Sequence, residues 1–224
     1  MNFDERHEMA MNPTTPVAKL TELANDEEGF IRSCVARNPN TPGDVLTKLA
    51  DDEVIVVREA VAENHNTVAE IFIKLADDES HFVRIRVAEN PNVPADVINK
   101  LAEDENSCVR MRACESPLVS EKNLIKCSAD IDEFVRMAVA GNPNTPGEVL
   151  NKLSKDDYDN VRYNVAGNPN TPPEALEILA NDDEESVCYN VACNPNTPCE
   201  IIEKLRQDES EAVREAAEEN TFQV

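Results

Sequence analysis

The chain has 224 residues, 41% of them apolar, enough for a buried core, but only 4% are aromatic and none is tryptophan, a composition that suits thin helical layers better than a thick sandwich. A formal charge of −24 repels nucleic acid and anionic membranes and leaves no counterion release to drive phosphate binding, so neither is an expected partner. Seven cysteines without framework spacing leave at least one thiol unpaired, which points to a reducing, cytoplasmic setting, and no window approaches the roughly 18 apolar residues of a membrane span.

The first eleven residues, MNFDERHEMAM, hold no apolar leader segment. They put Arg6, Met9 and Ala10 where later copies carry Arg, Val and Ala, so residues 1–11 are expected to form an N-terminal half-repeat cap. Beyond them the string NPNTP occurs at Asn38–Pro42, Asn142–Pro146, Asn168–Pro172 and Asn194–Pro198, with starts separated by multiples of 26. Continuing that ladder gives NPTTP at 12, NHNTV at 64, NPNVP at 90 and SPLVS at 116. All 14 prolines fall at column 2, 5 or 6 when column 1 is the motif asparagine. A fixed period of this length marks a solenoid. The expected organisation is eight tandem repeats over residues 12–219, starting at 12, 38, 64, 90, 116, 142, 168 and 194, followed by a tail at 220–224.

Within each repeat, threonine at column 4, proline at column 5 and an acid at column 7, as in Thr41/Pro42/Asp44 and Thr171/Pro172/Glu174, read as a capping box with proline at the first helical position. A short first helix is therefore predicted over about columns 5–13, with columns 9 and 12 inward, as in Leu150/Leu153. A second helix follows over columns 18–26, with Val or Ile at column 20 and Val or Ala at column 24. The asparagine that precedes the column-2 proline stops it, and its tolerance of the left-handed conformation suits a helix cap. The fold class is thus all-α, a solenoid of two-helix repeats without β-sheet. A single repeat cannot bury enough surface to fold alone and must stack on its neighbours.

Copies such as NPNTPGEVLNKLSKDDYDNVRYNVAG resemble the leucine-rich repeat variant family, whose units carry VR, VA and PN.P followed by leucines and LA.D. The resemblance covers residues 12–219 and implies a right-handed superhelical solenoid of alternating α- and 3₁₀-helices, similar in outline to HEAT and armadillo arrays. Some members carry a separate N-terminal cysteine cluster for a four-iron, four-sulfur centre. This chain has no cysteine before Cys34.

Aspartate fills column 15 in all eight repeats and arginine fills column 21 in seven, with Cys188 the exception. Such a ladder reads as structural, the aspartate capping a helix or accepting from an arginine that would otherwise be a semi-buried charge. Further acids at columns 14–17 form an edge that reads as solvated capping. Cys188, Cys193 and Cys199 are the densest thiol group and carry the alternative reading, a metal or iron–sulfur carrying repeat protein, but their columns 21, 26 and 6 point in different directions. No catalytic constellation stands out, so the chain is expected to be neither an enzyme nor a cofactor carrier.

The residues the architecture does not dictate lie on the second helix, opposite the core. Column 22 reads Ser33, Glu59, Ile85, Met111, Met137, Tyr163, Tyr189, Glu215. Around its apolar middle stand Phe82, Phe134, Arg86, Arg112, Asn164 and Asn190, the composition of an interface core. The expected function is a non-enzymatic scaffold that binds a protein or peptide through this stripe. Shielding of the same side chains by neighbouring layers is the competing reading. Repeat 5 departs most, placing Asn123 and Cys127 at core columns, and reads as a kink or weak seam. Repeat 8 carries Arg206 and Glu218, as a polar C-terminal cap should.

Overall fold

A computed structural model describes residues 1–220, so the tail expected at 220–224 lies outside the described residues apart from Asn220. All 17 helices among them are α-helical and no strand is present. The chain divides into two compact units, one ending at Val109 and the other beginning at Arg110.

In unit 1, α1 (Phe3–Met11), α3 (Gly29–Arg37), α5 (Ile55–Glu63) and α7 (His81–Glu89) are nine-residue helices that pack each on the next. They alternate with the seven-residue α2 (Val17–Leu23), α4 (Gly43–Leu49), α6 (Ala69–Leu75) and α8 (Ala95–Leu101). The division falls inside α9 (Ser107–Glu115). Unit 2 continues with the short α10 (Glu121–Cys127), α12 (Gly147–Leu153), α14 (Pro173–Leu179) and α16 (Cys199–Leu205). Its long helices are α11 (Glu133–Gly141), α13 (Asp159–Gly167), α15 (Glu185–Cys193) and α17 (Glu211–Glu219), again packed in sequence.

Long helices occupy columns 18–26 and short ones columns 6–12, with columns 5 and 13 as half-in caps. Both kinds are α. In the short helices, Leu46 N donates to Pro42 O at 3.0 Å and Ala50 N to Leu46 O at 2.9 Å, four residues back in each case. The alternation with 3₁₀-helices implied by the family resemblance is therefore absent from the described residues; three-residue closures lie at the helix ends and in the turns between helices, as from Val57 N to Val54 O and from Asp52 N to Leu49 O.

The core lies between the two kinds of helix. Column 9 is fully buried throughout, from Leu20 to Ile202, and so are column 20, from Ile31 to Val213, and column 24, from Val35 to Ala217. Truncating one of these leucines to alanine would cost about 2–5 kcal/mol.

Two capping expectations are corrected. Column-4 threonines do not cap the short helix; Thr41 Oγ1 donates to Val35 O at 2.5 Å, and Thr67, Thr145, Thr171 and Thr197 bond Val61, Val139, Val165 and Val191 in the same way. The hydroxyl serves a carbonyl in the last turn of the preceding long helix, where intrahelical donors run out. Among the described residues only Ser120, which replaces the column-5 proline of repeat 5, caps a short helix with its side chain, accepting from Asn123 N. The column-1 asparagines, in turn, are not left-handed. Asn38 has φ −66° and ψ 127°, and no described residue has positive φ; the following proline keeps Asn38 out of the helical region, and Asn64, which precedes His65, is extended as well, with φ −69° and ψ 130°.

Their role is instead to bond one layer to the next. Asn168 Nδ2 donates to Ala140 O at 2.7 Å and Asn142 O at 2.9 Å in the layer before, and its Oδ1 accepts from Asn170 N at 2.9 Å. Asn64 and Asn90 in unit 1, and Asn142 and Asn194 in unit 2, repeat the arrangement. Each amide satisfies buried carbonyls that the helix end leaves open. Repeat 5 has Ser116 at this column.

Candidate functional site

The long helices present columns 19 and 26 outward; column 22 runs from buried at Ser33 to exposed at Tyr163 and Tyr189, and column 23 is buried where it is small, at Cys34, Ala60, Ala138 and Ala216. The column-20 and column-24 side chains turn inward, so residues two positions from each are driven outward. In unit 2, Phe134 is 53% exposed, Tyr163 41% and Tyr189 42%, with Met111 and Met137 half-buried beside them. Phe82, on the same column as Phe134, is 57% exposed, with its ring centroid 4.1 Å from that of His81 in a tilted arrangement, and Ile85 is half-buried; these belong to unit 1. Column-22 residues on α11, α13 and α15 thus form a semi-exposed row within unit 2, made of Met137, Tyr163 and Tyr189.

The polar members of the stripe already have partners. Arg86 bonds Glu89 at 2.9 Å and Glu63 at 3.0 Å, and Arg112 bonds Glu115 at 2.9 Å. Asn164 Nδ2 donates to Asn160 O at 2.8 Å and Asn190 Nδ2 to Tyr163 O at 3.0 Å. Each of these amides lies over a glycine of the preceding layer: a Cβ on Gly141 would sit 3.2 Å from Asn164 Oδ1, and one on Gly167 would sit 3.1 Å from Asn190 Nδ2. Sequence reasoning missed this coupling, whose signal was the placing of Gly141 and Gly167 at column 26 one layer before the two asparagines.

The column-15 and column-21 residues form a ladder between layers. Arg32 donates through Nε and Nη2 to both oxygens of Asp52, at 2.6 and 2.8 Å, and Arg162 does the same to Asp182 at 2.6 and 2.9 Å. The remaining nitrogen, Nη1, bonds the main-chain oxygen of the arginine's own column-15 aspartate, as from Arg162 to Asp156 O at 2.9 Å. Each carboxylate also accepts a backbone N–H two residues on, as Asp52 does from Val54. Burial alone would raise the Asp52, Asp130, Asp156 and Asp182 pKa values, but the bonds from arginine and backbone outweigh it and hold all four below the usual carboxylate range.

Cys188, Cys193 and Cys199 are not brought together. Cys188 is buried with its thiol against Leu179 O and Asp182 O, at 3.6 and 3.4 Å, while Cys193 and Cys199 are exposed. Among the described residues no three Cys, His, Asp or Glu side chains are placed to hold one metal ion, and no helix is long and apolar enough to cross a membrane.

The sequence model described as "Leucine rich repeat variant" matches residues 30–54 and 159–184, each segment running from a long helix through the short one that follows. A solved structure described as a leucine-rich repeat variant with a novel repetitive structural motif superposes with TM-score 0.68 at 26% identity, covering 90% of this chain and 80% of that one. The two matched segments are leucine rich repeat variant units. Lower structural similarity extends to an engineered protein, with TM-score 0.47, 15% identity and coverage of 96% and 82%, and to a designed armadillo repeat protein, with TM-score 0.33, 18% identity and coverage of 92% and 98%. No curated protein sequence matches. Both matched segments run from a long helix to a short one, whereas a repeat counted from the motif asparagine runs from short to long.

Proposed function

We propose that this leucine rich repeat variant array is a non-catalytic scaffold in a reducing compartment that binds a protein or peptide partner through the outer face of the unit 2 long helices. One observation carries the reading: Phe134, Tyr163 and Tyr189 stay about half exposed on helices whose inner columns are fully buried. Solvent alone does not select a row of large apolar and aromatic side chains, and rigid aromatic anchors are what partner pockets engage. The shifted carboxylates all belong to the interlayer ladder and are committed to arginine, which leaves the perturbed groups a structural role and supports the non-catalytic reading.

The test is the double variant Met137→Ala/Tyr163→Ala. Peptides selected from a random library on the wild-type chain should lose at least tenfold in affinity, with the melting temperature lowered by only a few degrees because both side chains are partly exposed. A large loss of melting temperature would assign the row to packing, and unchanged peptide affinity would place binding elsewhere.

A further inference from the structure

Short helices and interlayer turns enclose a shallow groove in each unit, at corresponding positions, and the two grooves differ in chemistry. In unit 1 the groove has a volume of about 610 Å³ and is lined by Asp77, Glu79, Glu103 and Glu105 around Lys100. In unit 2 the corresponding groove, about 550 Å³, has Ala129, Ile131, Lys155 and Asp157 at those four positions, around Lys152.

The change follows from a broken pairing rule. In four repeats the column-11 lysine reaches back to a column-14 acid or amide of the preceding repeat: Lys100 pairs with Asp77 at 2.5 Å, Lys74 with Asp51, Lys48 with Asn25 and Lys204 with Asn181. Lys152 finds Ala129 at that place, and its ammonium is left at 3.4 Å from the main-chain and side-chain oxygens of Ser128. Lys155 itself occupies column 14, where the lysine that would approach it is replaced by Ile178. Both lysines are exposed. Of the groove's acids, Asp130 accepts from Arg110 and Asp156 from Arg136, each at close range, which leaves Asp157 to face the two lysines' side of the groove as the acid outside those pairs.

An apolar surface adjoins the lysines. Ile131 is 94% exposed at a column that carries an acid in the other seven repeats. The Tyr158 ring, 47% exposed, is held by the Arg136 guanidinium 5.4 Å from its centroid. Two cations beside an isoleucine and a tyrosine match carboxylates flanking an apolar side chain.

We infer that the unit 2 groove at Lys152, Lys155, Ile131 and Tyr158 is a docking site for an acidic peptide segment with a large apolar anchor. The net negative charge of the whole chain does not forbid it, because at physiological salt charges more than about 8 Å away are largely screened and the local pairs decide.

Fluorescence anisotropy with a labelled dodecapeptide of glutamate, leucine and glycine tests this, against a counterpart carrying lysine for glutamate. The wild-type chain should bind the acidic probe saturably and more tightly than the basic one, and raising the salt from about 50 to about 300 mM should weaken it several-fold. Lys155→Glu with Ile131→Glu should weaken it at least tenfold; both substitutions install residues that unit 1 carries at the same columns, Glu103 and Glu79, so the melting temperature should hold. Lys152→Gln, a milder change, should cost about threefold. Tyr163→Ala, on the long-helix face, should leave the acidic probe unaffected. No saturable binding by the wild type, equal affinity in the groove variants, preference for the basic probe, or loss on Tyr163→Ala alone would each overturn the groove assignment.

Discussion

Arg58 in one layer closes Nε and Nη2 on the two carboxylate oxygens of Asp78 in the next, at 2.6 and 3.0 Å, while its Nη1 bonds Asp52 O in its own layer at 2.8 Å. One guanidinium therefore spends its donors on two consecutive repeats, and its planar fork fits a carboxylate as lysine's ammonium cannot. The side chains of the pair are only 9% and 6% exposed, so removing one partner strands the other charge. Arg58→Ala should destabilise the chain by about 3 kcal/mol in urea unfolding. Replacing both members, Arg58→Met with Asp78→Leu, should cost less than the single change, because no charge is left unpaired. A single-variant loss within about 0.5 kcal/mol, the scatter of ordinary surface substitutions, would show that the ladder adds nothing to stability.

The same ladder sets an acid limit. Asp52, Asp130, Asp156 and Asp182 are held below their ordinary pKa in the fold, the opposing effect of burial being outweighed by arginine and backbone bonds, whereas unfolded aspartates titrate near about 3.9. A depressed folded-state pKa contributes stability that is complete above the unfolded value and lost as pH falls through the folded value. The melting temperature should thus change little between about pH 7 and 5 on account of these groups, then fall steeply below about pH 4. The arginines stay charged throughout, so every carboxylate protonated leaves a cation between layers. A melting temperature that stays flat down to about pH 3 would contradict the ladder's part in stability.

What could be read from the sequence was whatever repeats in register. The prolines at columns 2, 5 and 6 and the apolar columns 9, 12, 20 and 24 placed all the long helices and their buried faces, because hydrophobic period and proline sterics act within a few residues. Asn168 was misread as a left-handed cap for the opposite reason: its bonding partners, Ala140 and Asn142, lie 28 and 26 residues earlier, and local helix rules contain no such partner. Thr41 met the pattern of a capping box, yet the tight turn sets its hydroxyl against Val35 O, and that carbonyl takes it. The column-22 row was legible as an anomaly, since Tyr163 and Tyr189 stand where nothing internal demands them. The groove at Lys152 and Lys155 was not, because it arises from the loss of partners at Ala129 and Ile178, which appears only once successive layers are set side by side.

The ladder's one missing arginine gives the sharpest test of the interlayer geometry. Cys188 occupies the arginine column of repeat 7, and its thiol lies 3.4 Å from Asp182 O, the same carbonyl position that Arg162 Nη1 bonds in the layer before, at Asp156 O. Burial raises the Cys188 pKa, with the nearby Asp208 carboxylate adding to the effect, so the thiol stays neutral and gives Asp208 no charge partner. Asp208 keeps its bond from Ser210 N at 2.9 Å. Cys188→Arg should restore both the carbonyl bond and a two-pronged pair with Asp208, exchanging a weak thiol donor for charge-assisted bonds of about 1.5–3 kcal/mol each before the cost of ordering the side chain. The net expectation is a gain of about 1 kcal/mol and a raised melting temperature, checked by thermal unfolding beside Cys188→Ala, which should lose slightly instead. The gain should vanish in Cys188→Arg combined with Asp208→Asn, since an amide cannot hold the guanidinium as a carboxylate does. A melting temperature that falls on Cys188→Arg would mean that the layers around α15 and α17 have closed over the cysteine and no longer admit the arginine every neighbouring repeat accommodates.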